Sequence, residues 1–80
     1  MSDRNLLWRP DPAVARKIRQ LKAMLRKAGC YCASAKGSHT KWSHPNVPDK
    51  LILSGHDGDD AKPYQENAVA RYLQEIAAAT

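Results

Sequence analysis

Residues 29–45 read GCYCASAKGSHTKWSHP, and they decide the fold because the sequence pattern changes from helical to β within them. The short side chains of Cys30–Ala35 are compatible with a strand, and Lys36-Gly37-Ser38 is typical of a tight turn. The next six residues alternate, which predicts a second strand with Trp42 in the core. One face of that strand then carries His39, Lys41 and Ser43, and the other carries Thr40, Trp42 and His44.

A basic amphipathic helix is predicted before this hairpin. Asp11 followed by Pro12 favours a helix start, because Asp caps free amides and Pro is tolerated at the first helical position. Gly29 is a natural C-terminal stop. Basic residues surround the apolar stripe. We interpret most of them as a solvated helix surface and expect a few of them to contact phosphate. The stripe consists of Ile18, Leu21, Leu25 and Ala28.

A third strand and a second helix are predicted after the hairpin. Pro45–Asp49 is typical of a turn, and Leu51–Leu53 is the most strand-like triplet. Pro63 opens a helix whose apolar stripe is Val69, Leu73 and Ile76. The acidic loop His56–Asp60 lacks the twelve-residue rhythm and closing glutamate of a calcium loop, so we expect a solvated loop.

The order helix, three strands, helix predicts an α+β fold, α-β-β-β-α, with both helices on one face of a three-stranded antiparallel sheet. The other sheet face then stays open for a ligand. A chain of 80 residues supports one modest core, so we predict a tail over residues 1–11 and a single domain over residues 12–80.

The charge favours a polyanionic partner. Thirteen Lys and Arg against eight Asp and Glu give a formal charge of +5, which attracts nucleic acid, although it could equally serve solubility alone. No apolar run approaches the ~20 residues of a membrane helix. The N-terminus has no hydrophobic signal core, so we expect a cytoplasmic protein that does not bind a membrane.

The cysteines and histidines do not form a familiar metal motif. Cys30 and Cys32 would share one strand face but lie too close for an unstrained disulfide, so we expect two small apolar side chains. Their spacing to His39 and His44 does not match a zinc finger. A zinc site is therefore not expected from the spacing, and a zinc-stabilised interaction domain is the weakest alternative.

His39 is the candidate for chemistry. An imidazole exchanges protons at neutral pH, and RNA cleavage requires the 2′-hydroxyl to lose a proton and the departing 5′-oxygen to gain one. Lys36 and Lys41 flank His39 and could offset charge in the transition state. The residues alone leave open a non-catalytic RNA-binding module that uses the same basic face.

These features together resemble the HicA-type toxins, small mRNA interferases of bacterial toxin–antitoxin pairs. The resemblance spans residues 18–76 and rests on a helix ending in glycine, a strand, and then G-S-H, two residues, an aromatic, one residue and H-P. Two departures stand out. Thr40 follows His39 where many members carry a second histidine, and LILSGHDGDDAKPYQ stands where many have a Val-x-Val-Pro strand, which leaves the Ser54–Pro63 loop without a role.

The resemblance implies a fold like that of double-stranded-RNA-binding domains and metal-independent endoribonuclease activity with no cofactor. It implies mRNA as substrate and a cognate HicB-type antitoxin as protein partner, which would cover the sheet face around His39. The catalytic residue would be His39. The predicted RNA-binding residues are Lys36, Gly37, Ser38 and Lys41.

Overall fold

The structure is a computed structural model that describes residues 16–79. The strands form one antiparallel sheet in the order β1-β2-β3, with a helix on either side in sequence. The predicted α-β-β-β-α fold is confirmed, while the predicted boundary between tail and domain at residue 11 lies outside the described range. The elements are α1 (Ile18–Lys27), β1 (Tyr31–Ser34), β2 (Thr40–His44), β3 (Val47–Leu53) and α2 (Pro63–Ala79).

Helix α1 begins later than the sequence predicts. The predicted start at Asp11 and Pro12 lies outside the described residues, but Arg16 and Lys17 precede the helix, and Lys17 is extended (φ −79°, ψ 153°). The backbone of this segment is bonded to the loop before α2, where Ala61 N–H donates to Arg16 O over 2.7 Å. A helix continuous from Pro12 is therefore wrong, because these backbone groups are used in an extended pairing.

The predicted end of α1 at Gly29 is confirmed by its hydrogen bonds. Cys30 N–H donates to Leu25 O over 3.1 Å, and Gly29 N–H donates to Arg26 O over 3.0 Å. This pair of bonds is the Schellman arrangement, which satisfies carbonyls that the helix end leaves free. The chain therefore leaves α1 in a fixed direction into β1.

Strand β3 begins earlier than predicted. Val47 pairs with His44, so the predicted turn Pro45–Asp49 is reduced to Pro45 and Asn46. Pro48 is tolerated inside β3 because this strand lies at the edge of the sheet, where a missing N–H leaves no partner unsatisfied. The carbonyl of Asp49 accepts a hydrogen bond from Tyr72 Oη of α2 at 2.8 Å, which fixes α2 against this edge.

Both helices pack on the sheet face that carries Trp42. Its side chain is 0% exposed, as predicted, and Arg26 of α1 lies 5.3 Å from the ring centroid. Trp42 Nε1 donates to Thr40 Oγ1 at 2.8 Å, and Thr40 Oγ1 donates to the carbonyl of Leu53 at 3.2 Å. The indole therefore has a partner for its only polar atom. The buried apolar cluster comprises Ile18, Leu21, Leu25, Cys30, Trp42, Val47, Leu53, Ala61, Val69, Tyr72 and Ile76.

The opposite sheet face is left open by the part of the chain that the structure describes. Lys41 pairs with Ala33 of β1 and Ile52 of β3, so these three residues lie side by side across the sheet. Ile52 is 51% exposed, and Tyr31 is 66% exposed. Over residues 16–79 neither helix is long and apolar enough to cross a bilayer.

The acidic loop is docked on α1 rather than simply solvated. Asp59 O accepts a hydrogen bond from Ile18 N–H at 2.9 Å, and Asp57 O accepts one from Arg19 N–H at 3.2 Å, so the loop backbone caps the helix start. Lys22 Nζ lies 2.7 Å from Asp57 Oδ1. The hydrogen bond and charge of Lys22 lower the pKa of Asp57 below its ordinary value of 3.8. Part of the basic face of α1 therefore has acidic partners within the chain.

The Asp57 contact predicts acid sensitivity. Because its folded-state pKa is lowered, Asp57 contributes stability that is present above its unfolded pKa and lost as pH falls below about 4 through the folded value. Asp57→Asn should therefore flatten the acid limb of a plot of the free energy of unfolding against pH, measured by urea denaturation. Lys22→Met should flatten the acid limb to a similar degree, because it removes the partner of Asp57. The double variant should show no larger effect than either single variant. A wild-type acid limb in Asp57→Asn would contradict the role of this contact.

The buried indole predicts a large stability effect. Trp42→Ala should lower the free energy of unfolding by about 3–5 kcal/mol, since it removes a fully buried aromatic side chain and leaves a cavity. Lys50→Ala, on the exposed part of the neighbouring strand, should change it by less than about 0.5 kcal/mol. Urea denaturation of both variants tests this, and equal stabilities would be inconsistent with Trp42 at the centre of the core.

Candidate active site at the turn between β1 and β2

The turn that joins β1 to β2 carries His39 at its end. Gly37 lies inside it at φ 63°, a left-handed conformation that residues with a side chain rarely adopt, and this matches the predicted tight turn. His39 N–H donates to Lys36 O at 3.1 Å, and Ala35 N–H donates to His39 O at 3.0 Å. Because β2 begins at Thr40, His39 is the last turn residue and not a strand residue as the alternation predicts.

The imidazole of His39 is oriented by the same turn. Its Nδ1 lies 3.0 Å from the carbonyl oxygen of Lys36, and its side chain is exposed. A carbonyl oxygen only accepts hydrogen bonds, so in the neutral ring Nδ1 carries the proton and Nε2 carries the lone pair. Nε2 is therefore the ring nitrogen that can accept a proton from a ligand.

Ser38 faces the loop between β3 and α2. Its Oγ accepts a hydrogen bond from Gly55 N–H at 3.3 Å, which links the turn to a segment 17 residues further along the chain. The hydroxyl proton of Ser38 is still available as a donor. Ser38 can therefore hold the turn in place and donate to a phosphate oxygen at the same time.

The predicted RNA-binding lysines are both exposed, but they occupy different parts of the surface. Lys36 lies on the turn and contributes its carbonyl to His39, whereas Lys41 lies on the open sheet face between Ala33 and Ile52. Within residues 16–79 neither lysine is paired with a carboxylate, in contrast to Lys22. The structure therefore brings Lys36, Gly37, Ser38 and His39 into one turn, with Lys41 two residues along β2.

The other histidines are separate from this turn. His44 is half-buried near the end of β2, where its Nδ1 accepts a hydrogen bond from Asn46 N–H at 3.1 Å and so stabilises the β2–β3 turn. His56 is exposed in the acidic loop. In the part of the chain that the structure describes, no three His, Cys, Asp or Glu residues gather as a metal site would require.

The two cysteines do not behave as the predicted pair. Cys30 is buried and precedes β1, whereas Cys32 lies in β1 opposite Trp42 and is exposed, so the two thiols differ in burial. Burial raises the pKa of the Cys30 thiol, which makes it a poor nucleophile. Cys30 packs in the core as a small apolar side chain, and only this half of the prediction is confirmed.

The loop between Ser54 and Pro63 had no predicted role, yet its ends support the turn. Gly55 contacts Ser38, and Gln65 in the first turn of α2 donates to the carbonyl of Ser54 at 2.9 Å. A signal for Gln65 was present. Pro63 at the first helical position places Gln65 at the third, where a glutamine side chain can return to the residue that caps the helix.

Comparison with known proteins identifies one family. The model of the family described as HicA toxin of bacterial toxin-antitoxin matches residues 18–75, which include all of α1, the three strands and the whole turn from Lys36 to His39. This match covers well over half of the chain. No curated protein and no solved structure matches the chain.

The hydrogen bonds predict opposite tautomers for two histidines. In the neutral rings, His39 should be protonated on Nδ1, because its partner is a carbonyl, and His44 on Nε2, because its Nδ1 accepts an amide proton. Two-bond ¹H–¹⁵N correlation spectra of the imidazoles, recorded at alkaline pH, distinguish the two forms. If His39 gave the Nε2-protonated pattern of His44, the orientation assigned to its ring would be wrong.

Proposed function

The chain belongs to the HicA toxin family of bacterial toxin–antitoxin systems, and we propose that it is an endoribonuclease that cleaves mRNA through His39. The observation that carries the proposal is the contact between His39 Nδ1 and Lys36 O at 3.0 Å. This contact orients an exposed imidazole and leaves Nε2 available for proton transfer. The established family supplies the role as toxin, and the ring geometry supplies the group that could do the chemistry.

The proposed reaction is attack of the RNA 2′-oxygen on the adjacent phosphorus. A bond forms between O2′ and phosphorus, the bond from phosphorus to O5′ breaks, and one proton leaves O2′ while one is added to O5′. His39 Nε2 carries out one of these transfers, and a second group or water completes the other. No electrons are exchanged with an external acceptor, so the reaction needs no redox cofactor.

The cations near the turn bind the phosphate and offset charge that develops on it. Lys36 is on the turn itself, and Lys41 is on the open face two residues from His39. The hydroxyl of Ser38 and the backbone at Gly37 complete the proposed contact with RNA. Such preorganised positive charge stabilises a transition state more than a ground state when it is aimed at the oxygens that gain charge.

We propose that the reaction is independent of metal ions, because an imidazole and lysines can supply both proton transfer and charge stabilisation. The partner implied by the family is an antitoxin, and we propose a HicB-type protein that covers the open face around His39. The exposed Tyr31 and Ile52 provide apolar area for such a contact. Both the mRNA and the antitoxin would be met in the cytoplasm.

The replacement His39→Ala tests this function. We expect purified wild-type protein to cleave RNA in the presence of EDTA, and His39→Ala to lower the rate by about 10²–10⁴-fold, the usual contribution of general acid–base catalysis. His56→Ala, which removes the other exposed imidazole in a surface loop, should retain wild-type activity. The assay is the initial rate of cleavage of a labelled single-stranded RNA.

Two outcomes separate the alternatives. If His39→Ala cleaved RNA as fast as the wild type, the catalytic role of His39 would be excluded. If wild-type protein bound RNA in a salt-dependent manner but never cleaved it, the chain would be a non-catalytic RNA-binding module. Loss of growth arrest on expression of His39→Ala, with growth arrest retained by His56→Ala, gives the same distinction in cells.

A further inference from the structure

We propose that Gln65 is a positioning residue for His39, acting through Ser54, Gly55 and Ser38. This inference rests on the proposed endoribonuclease function and adds a residue of α2 to it. Gln65 does not touch the turn that carries His39. Its role follows from a chain of hydrogen bonds that runs from the start of α2 to Ser38.

Both ends of the Gln65 amide are used. Gln65 is 6% exposed, and its Oε1 accepts a hydrogen bond from Lys62 N–H at 2.8 Å, which closes the start of α2. Its Nε2 donates to the carbonyl of Ser54 at 2.9 Å and lies 3.3 Å from Ser54 Oγ. A buried amide with these partners fixes the end of β3 relative to α2, because any shift would leave a polar group unsatisfied.

Gly55 links the position of Ser54 to that of the turn. Its φ is 111°, and a Cβ added there would lie 3.3 Å from Ile18 Cγ1, so the backbone is pressed against the core. The peptide that joins Ser54 to Gly55 is therefore held from two sides: Gln65 binds its carbonyl, and Ile18 of α1 leaves no free space for a side chain at Gly55. A planar peptide unit moves as one body, so fixing its carbonyl also fixes its N–H.

The N–H of Gly55 contacts the catalytic turn. It donates to Ser38 Oγ at 3.3 Å, and Ser38 immediately precedes His39. Within residues 16–79 the other hydrogen bonds of the turn are local, since His39 is bonded to Lys36 and Ala35. The Gly55 contact therefore supplies a link between the turn and the body of the domain, and the position of His39 relative to the open sheet face depends on it.

Glu66 provides a matched control. It is the next residue of α2, is 3% exposed, and accepts hydrogen bonds from Arg16 N–H at 3.0 Å and Arg16 Nη1 at 3.2 Å. Its contacts lead to the segment before α1 and not to Ser38. A variant at Glu66 should therefore disturb a buried polar contact in the same helical turn without moving His39.

The experiment compares Gln65→Met with Glu66→Gln in the full chain, at a temperature where thermal unfolding shows both variants to be folded. We expect kcat for RNA cleavage to fall by about 10–100-fold in Gln65→Met, because small displacements of a catalytic group cost up to about 10²-fold, and KM to stay within about twofold. Glu66→Gln should lose thermal stability and keep wild-type kcat.

A structural measurement separates failure of this proposal from failure of the proposed function. Hydrogen exchange of the Gly55 amide, followed by NMR, should be faster in Gln65→Met and unchanged in Glu66→Gln. If the wild type cleaved RNA and the two variants had equal kcat, the positioning role would be overturned while the function stood. If the wild type did not cleave RNA, the function and the role of Gln65 in it would both be overturned.

The route through Ser38 is tested by a double-variant cycle. If Gln65 acts through Ser38, then Ser38→Ala with Gln65→Met should lower kcat no more than the stronger single change, whereas independent effects would multiply. If the decreases in kcat of the two single variants multiplied in the double variant, Gln65 would not act through Ser38. Should Gln65→Met fail to fold, Gln65→Glu keeps the acceptor for Lys62 N–H, and its ionised carboxylate repels the Ser54 carbonyl instead of donating to it, so the same loss of kcat is expected of it.

Discussion

The burial of Trp42 is the constraint on which the rest of the structure depends. With the indole between the sheet and the helices, the alternation of β2 sends Lys41 to the opposite face. The Thr40 hydroxyl binds the indole N–H on the core side and reaches the neighbouring strand through the carbonyl of Leu53. A change of register by one residue would bury the lysine and expose the indole, so the core also determines which side chains can meet a ligand.

The sequence predicts the fold well because its signals are local and agree with one another. The glycine after α1, the turn at Gly37 and the alternation around Trp42 all favour the same topology, and the structure confirms them. The wrong predictions concern the start of α1 and the start of β3, where contacts between residues distant in sequence determine the local structure. Arg16 and Lys17 pair with the loop before α2 and leave the helix, and edge pairing with His44 extends β3 across a proline.

The candidate site was accessible to sequence reasoning only in part. The turn residues are contiguous, so the motif around His39 indicates them directly. The tautomer of His39 depends on the position of a carbonyl, and no residue pattern fixes it. The pattern after Pro63 indicates that Gln65 caps α2, but not that its amide also binds Ser54. The sequence therefore could not predict the contacts that orient the turn around His39, because they are made by backbone atoms and by residues more than ten positions from their partners.

The docking of the acidic loop on α1 has a consequence for which basic side chains can meet an external anion. Lys17 and Lys22 already have Asp60 and Asp57 as intramolecular counterions, at 2.6 Å and 2.7 Å. A phosphate that approached these lysines would have to displace a tethered carboxylate, whereas no carboxylate within residues 16–79 is paired with Lys41. The carboxylates of the loop thus compete with an external anion for Lys17 and Lys22, which weakens the attraction of that basic surface for a polyanion. The surface beside the His39 turn then attracts a polyanion more strongly.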